Sequence, residues 1–426
     1  MASFSIPLTG LEADSTALNT IANDLSNMNT TGFKAASTDF ADLFYQHMGT
    51  TGSGDPIQVG AGVQVASNEI SFTQGSISST GNSTDVALDG NGFFVVSNGG
   101  GGYEYTRAGD FTLNSAGDLV TSNGLSVMGY PAVDGVVNTN APLTAISIPV
   151  GEVQEPQATT TMSMTANLNS ASTTGTQFPA EITVYDSLGE PHVATVTYEQ
   201  TAANTWSYSV ALPASDFKSG VSTPVTGTMT FNANGNLTTI TPTDEAAETV
   251  GTATGDVSSI ALAFGGLADG ANDLSIKWNL LGSSGTPTIS QVDTTSAVSA
   301  TSQNGYASGQ YQSFTIGSDG TVTVTYSNGQ QQNVGQLALA NVANLQGLSL
   351  LGDGDYATTL ASGTAVVGTS GTSGLATIQD GALEASNVNI SSEFADLIVA
   401  QRAFEANAKS VTTFDQVTQD TINMVH

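Results

Sequence analysis

Glu393-Phe394-Ala395-Asp396-Leu397-Ile398-Val399-Ala400-Gln401-Arg402-Ala403-Phe404-Glu405-Ala406-Asn407-Ala408-Lys409 is the stretch that decides the fold. It holds no Gly and no Pro, in a chain with 47 glycines and 12 prolines. Steps of three and four link Phe394, Leu397, Gln401, Phe404, Ala408, Val411, Asp415, Thr418, Ile422 and Val425. That seam predicts an amphipathic helix that must pack against another helix. Asn389 or Ser391 can cap it. Glu393 and Asp396 suit its first turns, and Arg402 and Lys409 follow. From Phe394 to Val425 such a helix runs roughly 50 Å.

Its partner lies at the other end of the chain. Leu8, Leu11, Ser15, Leu18, Ala22 and Leu25 keep the same 3-4 step without a break,. Pro7 is tolerable in a first turn and Ser5 can cap it, so a helix is predicted over 5–28. It stops in Asn27-Met28-Asn29-Thr30-Thr31-Gly32, where Gly32 can take positive φ. The packing residues are then Leu8, Leu11, Leu18, Ala22 and Leu25 on one helix. On the other they are Phe394, Leu397, Phe404, Ala408, Val411 and Ile422. The reading is a mainly β protein with a terminal α-helical coiled coil, its β-rich body looped out from the paired termini. The alternative is two unrelated amphipathic helices packed on a globular core.

Between the helices the period changes. Residues 35–48 hold Phe40, Leu43, Phe44 and Tyr45, a short helix or an extended apolar patch, and a Gly-rich connector follows from Gly49 to Gly62. From about 63 the alternation is two, as in Val63 and Val65, Val86 to Val96 around a turn, and Tyr103 with Tyr105. Residues 150–300 are β-rich, more polar and full of Thr. Ile182–Tyr198 reads as strand, turn, strand, and Glu245 to Gly255 as a polar loop. Ser327-Asn328-Gly329-Gln330 predicts a hairpin turn of the I′ kind. Gly363 to Gly374 reads as a flexible linker back to the last helix.

Composition excludes several classes of partner. Six Lys+Arg against 37 Asp+Glu give a net charge of −31. Residues 50–380 carry only Arg107, Lys218 and Lys277 as fixed cations, so neither nucleic acid nor an anionic membrane is an expected partner. With no cysteine there is no disulfide framework or thiol chemistry,. No apolar run is long enough to span a bilayer, and the first residues lack the basic and apolar regions of a cleaved secretion signal.

No catalytic, cofactor-binding or metal-binding residue is assigned. The three histidines, His47, His192 and His426, are too far apart in sequence for a two-histidine zinc motif,. His192 follows Pro191 and reads as an exposed turn residue. No nucleophile elbow is present. Asp89-Gly90-Asn91-Gly92 and Asp353-Gly354-Asp355 lack the later ligands of a calcium loop and read as β-turns. Gly99–Gly102 reads as a hairpin tip.

Five segments resemble a known family. Ala22-Asn23-Asp24-Leu25-Ser26-Asn27-Met28-Asn29-Thr30-Thr31-Gly32-Phe33-Lys34 is similar to the N-terminal signature of bacterial flagellar rod and hook proteins. Leu383-Glu384-Ala385-Ser386-Asn387-Val388, with Gln401–Lys409, is similar to their C-terminal signature. Thr84–Phe94 and Tyr105–Phe111 resemble their first β domain. The middle insertion, with Val184–His192 and Trp206, and Asn304–Tyr311 favour the hook type over the distal rod type. Asp24 and Met28 stand where Asn and Val are more usual, and Tyr311 where Leu is.

The resemblance implies nested, discontinuous domains. These are a helical core of 1–34 and 381–426, a connector of 35–70, an inner β domain of 71–149 and 304–380, and an outer β domain of 150–303. It implies a structural subunit, not an enzyme, that polymerises with itself into a flexible torque-transmitting tube. It also implies type III flagellar export to the cell exterior without cleavage, and rod, hook-cap and hook–filament junction proteins as partners. A distal rod-type subunit, or from another class an acidic surface adhesin or S-layer protein, remain as alternatives. A glycan-cleaving enzyme using paired Asp residues is the catalytic one.

Overall fold

The computed structural model describes residues 5–51, 55–97, 99–243, 248–252 and 256–424. The seam position Val425, His426, the side chain of His47, and parts of the 49–62 connector and the 245–255 loop lie outside them. The chain forms two compact units. The first comprises residues 1–150, 313–325 and 331–426, and the second comprises 151–312 and 326–330.

The first unit contains both helices, α1 (Ser5–Ser26) and α2 (Ile390–Met424). Pro7 sits in the first turn of α1, where a missing N–H costs nothing,. Of the two expected caps of α2, Asn389 serves: its Oδ1 accepts from the N–H of Ser391 at 3.1 Å and of Ser392 at 3.3 Å,. Gly32 takes the expected positive φ, +67°. Among the described residues no helix is long and apolar enough to cross a membrane.

Residues 35–48 take the extended alternative and not the short helix, and the stretch after them is strand-paired and not a plain connector. Ala36–Asp42 pairs antiparallel with Val63–Ile70, and Gln46–Thr50 with Pro56–Val59. The reason is that α1 supplies a surface for the pair. Asp24 Oδ2 accepts from Ala36 N–H at 2.9 Å, and Thr38 bonds Thr20 at 3.1 Å. The apolar residues expected here remain outside, with Phe44 95% exposed.

Phe93–Ser97 is the centre of the larger sheet. It pairs with Glu104–Thr106, Ser126–Val133 and Leu339–Asn341. Phe93 to Val96 are all buried, the pattern of a strand covered on both faces,. Phe93 and Val95 join Tyr105, Tyr130, Ala340 and Tyr356 on one side. Phe94 meets Phe111 edge-on at 5.1 Å.

Two further expectations are corrected. Thr321–Tyr326 and Gln331–Leu337 do form a hairpin. However, only Gly329 of its turn has positive φ, +79°, whereas a I′ turn needs two such residues,. The loop is instead three residues closed by Tyr326 N–H to Gln330 O at 2.9 Å. True I′ geometry occurs at Asp134-Gly135, with φ of 51° and 76°, and at Asp353-Gly354, with φ of 54° and 80°. The 363–374 stretch is not a free linker. Val366–Gly368 pairs with Leu339–Asn341, and the buried Ser370 hydroxyl donates to Ser318 O at 2.7 Å. Its Ser and Thr side chains satisfy the backbone locally, so a composition typical of linkers folds here.

The second unit is a β-sandwich. One sheet is an antiparallel meander of Gln177–Tyr185, Pro191–Ala202, Thr205–Ala211, Val225–Phe231, Leu237–Pro242 and Glu248–Thr249. The other centres on Thr161–Asn169, parallel to Leu274–Asn279 and Ile289–Val292 and antiparallel to Ala297–Gln303. Every second residue points inward, and Trp206, Trp278, Tyr198 and Tyr208 fill the shared core,.

Candidate assembly surface

The two helices run antiparallel, and Gly10 and Asp14 of α1 meet Asn407 of α2. Gly10 on α1 faces Asn407 on α2 so closely that a Cβ there would lie 2.6 Å from Asn407 Nδ2. That same Nδ2 donates to Asp14 Oδ2 at 2.9 Å. Nearer the other end, Asp24 lies within electrostatic reach of Glu393. A cleft of about 410 Å³ beside the pair is lined by Ala17, Ile21, Phe40, Val399, Ala400 and Ala403, among others.

The residues of the predicted seams divide between covered and open positions in the single chain. Leu11, Leu18, Leu25, Leu397, Ala408 and Val411 are half-buried, while Leu8, Ala22, Phe394, Phe404 and Ile422 are exposed. Phe394 is 52% exposed, Ile398 58% and Val399 67%. No residue of α2 is buried among those described. A face of this kind on a 35-residue helix leaves a large unpaid hydrophobic term in the isolated chain,. Burying each such Leu, Ile or Phe contributes about 1.5–3 kcal/mol.

Below the helices sits a charge clasp that pattern reading missed. Lys34 Nζ donates to Glu384 Oε1 at 2.6 Å and to Thr73 O at 2.8 Å. Arg107 Nη1 reaches Glu384 Oε2 at 3.2 Å, and its Nη2 donates to Gly90 O at 2.7 Å. Glu384 Oε1 also accepts from Gly75 N–H at 2.8 Å. All three charged groups are buried. Burial lowers the Lys34 ammonium and the Arg107 guanidinium from their ordinary values, and Glu384 opposes that in both. The backbone closes over the clasp. Gly32 N–H donates to Glu384 O at 2.8 Å. A Cβ at Gly32 would come within 2.7 Å of the Arg107 backbone, so only glycine fits that approach,. Asn387 completes the joint, accepting from Ala35 N–H at 2.7 Å and donating to Ser71 O at 2.7 Å. The available signal was scarcity: two of only six Lys and Arg residues converge on one glutamate.

The reading of His192 as an exposed turn residue is wrong. It is buried, with Nδ1 2.8 Å from Asp216 Oδ2 and Nε2 3.2 Å from Asp186 Oδ2. The turn at Asp186–Gly189 ends before it, and the strand it opens points its ring inward.

Comparison with known families and proteins agrees along the whole chain. Residues 7–34 match the flagella basal body rod protein family and 87–167 the flagellar hook protein FlgE/F/G D1 domain. Residues 156–306 match the flagellar basal body protein FlaE D2 domain, and 379–424 the flagellar basal body rod FlgEFG protein C-terminal region. The chain is 36% identical to the flagellar hook protein FlgE of Salmonella typhimurium, over 99% of this chain and 100% of that one. It is 36% identical to FlgE of Escherichia coli K12, over 99% of each, and 33% to FlgE of Treponema pallidum, over 98% of each. In fold it is similar to the crystal structure of Helicobacter pylori flagellar hook protein FlgE2. The TM-score is 0.53 at 15% identity, covering 71% of this chain and 99% of that one. The segments meeting at the clasp and the helix pair fall within these matches, and the chain belongs to the bacterial flagellar hook protein family, structural subunits of the hook.

Proposed function

We propose that many copies of this subunit polymerise by heterologous, non-closing contacts into a helical tube, the flexible joint that passes torque from rod to filament. The observation that carries this reading is the apolar surface left open on the helix pair, with Phe394, Ile398 and Val399 more than half exposed on the single chain and Phe404 37% exposed. Copies packed side by side would cover those residues, which a two-helix pair cannot do for itself.

In this reading, residues 1–34 and 381–426 form the helical core that lines the tube. Residues 35–70 connect it to an inner β domain of 71–149 and 304–380, and 150–303 form the outer β domain. The subunit performs no reaction. It leaves the cell through the flagellar type III apparatus without cleavage and meets rod, hook-cap and hook–filament junction proteins at the ends of the polymer. Nucleic acid is not a partner, because phosphates need cations and Arg107, one of the three between residues 50 and 380, is already spent on Glu384,.

The test is substitution on the open face. Phe404→Asp should leave the monomer's sheet signal unchanged and cut sedimentable polymer at least tenfold, and Leu397→Asp should do the same while also loosening the helix pair. Tubes formed as readily by both variants would defeat the reading. Straight rather than curved tubes would move it to a rod-type subunit.

A further inference from the structure

The second unit carries a cluster of ligating side chains that hook assembly does not use. Asp186 heads the turn between Gln177–Tyr185 and Pro191–Ala202. Its Oδ1 accepts from the N–H groups of Leu188, at 2.8 Å, and Glu190, at 2.9 Å. Those bonds fix the carboxylate and leave Oδ2 toward His192. His192 is itself oriented from behind, since Nδ1 bonds Asp216 Oδ2 at 2.8 Å. A short turn, Ala214–Asp216, holds that carboxylate, and Ala268 N–H donates to Asp216 O at 2.9 Å. The 268–269 segment is thereby drawn to the same place. One ligand atom each of Asp186, His192 and Asp269 lies within 4.8 Å of the other two. His192 and Asp269, with Asp216, line a cavity of about 310 Å³ open to solvent, and Asp186 lies buried behind them.

We propose that Asp186 Oδ2, His192 Nε2 and a carboxylate oxygen of Asp269 form a binding site for one divalent first-row cation of the Zn²⁺ type, with Asp216 as the residue that orients the imidazole. Four observations support it. Nε2 and Asp186 Oδ2 are 3.2 Å apart. Two ligands each about 2.1 Å from one ion, at an angle of about 100°, have that separation. A carboxylate on the far ring nitrogen is the usual device that fixes a ligating histidine. Two of the three ligands, Asp186 and His192, are buried and held, so little order has to be created on binding. The cavity leaves room for water to complete the coordination. An imidazole with two carboxylates selects a borderline ion over Ca²⁺, which takes oxygen ligands throughout. Bound through Nε2, the imidazole keeps its proton on Nδ1, where Asp216 Oδ2 accepts it.

The site ties three separate segments, 186–192, 214–218 and 266–269, in a unit that has no disulfide to do so. Bound ion would therefore act as a clip on the sandwich, stabilising it in proportion to occupancy.

The experiment uses the full monomeric chain with Zn²⁺, Co²⁺ and Ca²⁺ as probes. Because the chain carries a charge of −31, diffuse ion binding must be separated from the site. Asp269→Asn removes the exposed ligand without touching the core, and Asp134→Asn, at an exposed turn elsewhere, serves as the control. The expected result is one saturable Zn²⁺ per chain, a melting temperature that rises with Zn²⁺, and a visible Co²⁺ spectrum of low coordination number. Asp269→Asn should weaken binding at least tenfold with unchanged near-UV circular dichroism, while Asp134→Asn should bind as the parent does. Absence of saturable binding, equal binding by Asp269→Asn and the parent, or a preference for Ca²⁺ over Zn²⁺ would each overturn the proposal.

Discussion

Single residues hold the joint between helices and sheet. Glu384 compensates Lys34 and Arg107 at once, all three away from water. Removing one partner of a buried ion pair leaves the others uncompensated, at a cost of about 3–5 kcal/mol. Glu384→Ala should therefore lower the stability of the first unit by that much, read from its urea transition. A loss under 1 kcal/mol would mean that the clasp is solvated. Asp24 is the opposite case, a residue the fold tolerates poorly. It is fully buried, its Oδ1 has no hydrogen-bond partner among the described residues, and Glu393 lies nearby. Burial raises its carboxyl above the ordinary range, against the lowering effect of the Ala36 N–H. A carboxyl raised in the fold contributes stability that is complete below its unfolded value and lost as pH rises through the folded one. The helix pair should thus tighten on acidification from neutrality toward that range. Asp24→Asn should stabilise it by about 1 kcal/mol at neutral pH and flatten the dependence, because the amide is neutral at every pH and its oxygen still accepts from Ala36 N–H,. Melting at pH 5 and 7 for both chains checks this. An unchanged pH dependence in the variant would rule Asp24 out.

At the scale of elements, the helices were legible and their contact was not. For α2 a run without Gly or Pro and a capping Asn389 are local signals, and the helix starts at Ile390; for α1 the expected 5–28 and the observed Ser5–Ser26 differ by two residues. The close approach was hidden, because Leu8, Phe394 and Phe404 dominate any apolar seam while Gly10 and Asp14 meet Asn407. Hydrophobic periodicity marks the surface a helix must bury somewhere, and in a polymer subunit that is the surface left open in one copy. Likewise Lys34 and Glu384 are 350 positions apart, and no local pattern links them. His192 was misread for a similar reason: Pro191 signals a turn, but the inward alternation of the strand it opens decides its burial. Asn407→Ala removes the bond to Asp14 and should cost about 0.5–1.5 kcal/mol. Hydrogen exchange along α2 should then speed several-fold, with exchange in the sandwich unchanged. Equal protection in both chains would place the helix contact elsewhere.

For the whole molecule, the structure says where the helices can be removed with the clasp kept whole. Cutting at 34 and 381 would take Lys34 and Glu384 away and strand Arg107 in the core. Trimming residues 1–27 and 390–426 keeps the clasp and removes α1 and α2 alone. The most direct measurement is electron microscopy of the full chain and of this trimmed chain under identical conditions, with sheet content followed by circular dichroism. The account predicts curved tubes from the full chain and, from the trimmed one, folded monomers whose sheet signal falls by no more than the strand pair of 36–42 and 63–70 that rests on α1. Tubes from the trimmed chain, or persistent monomers from both, would contradict the claim that the open faces of the helix pair drive assembly.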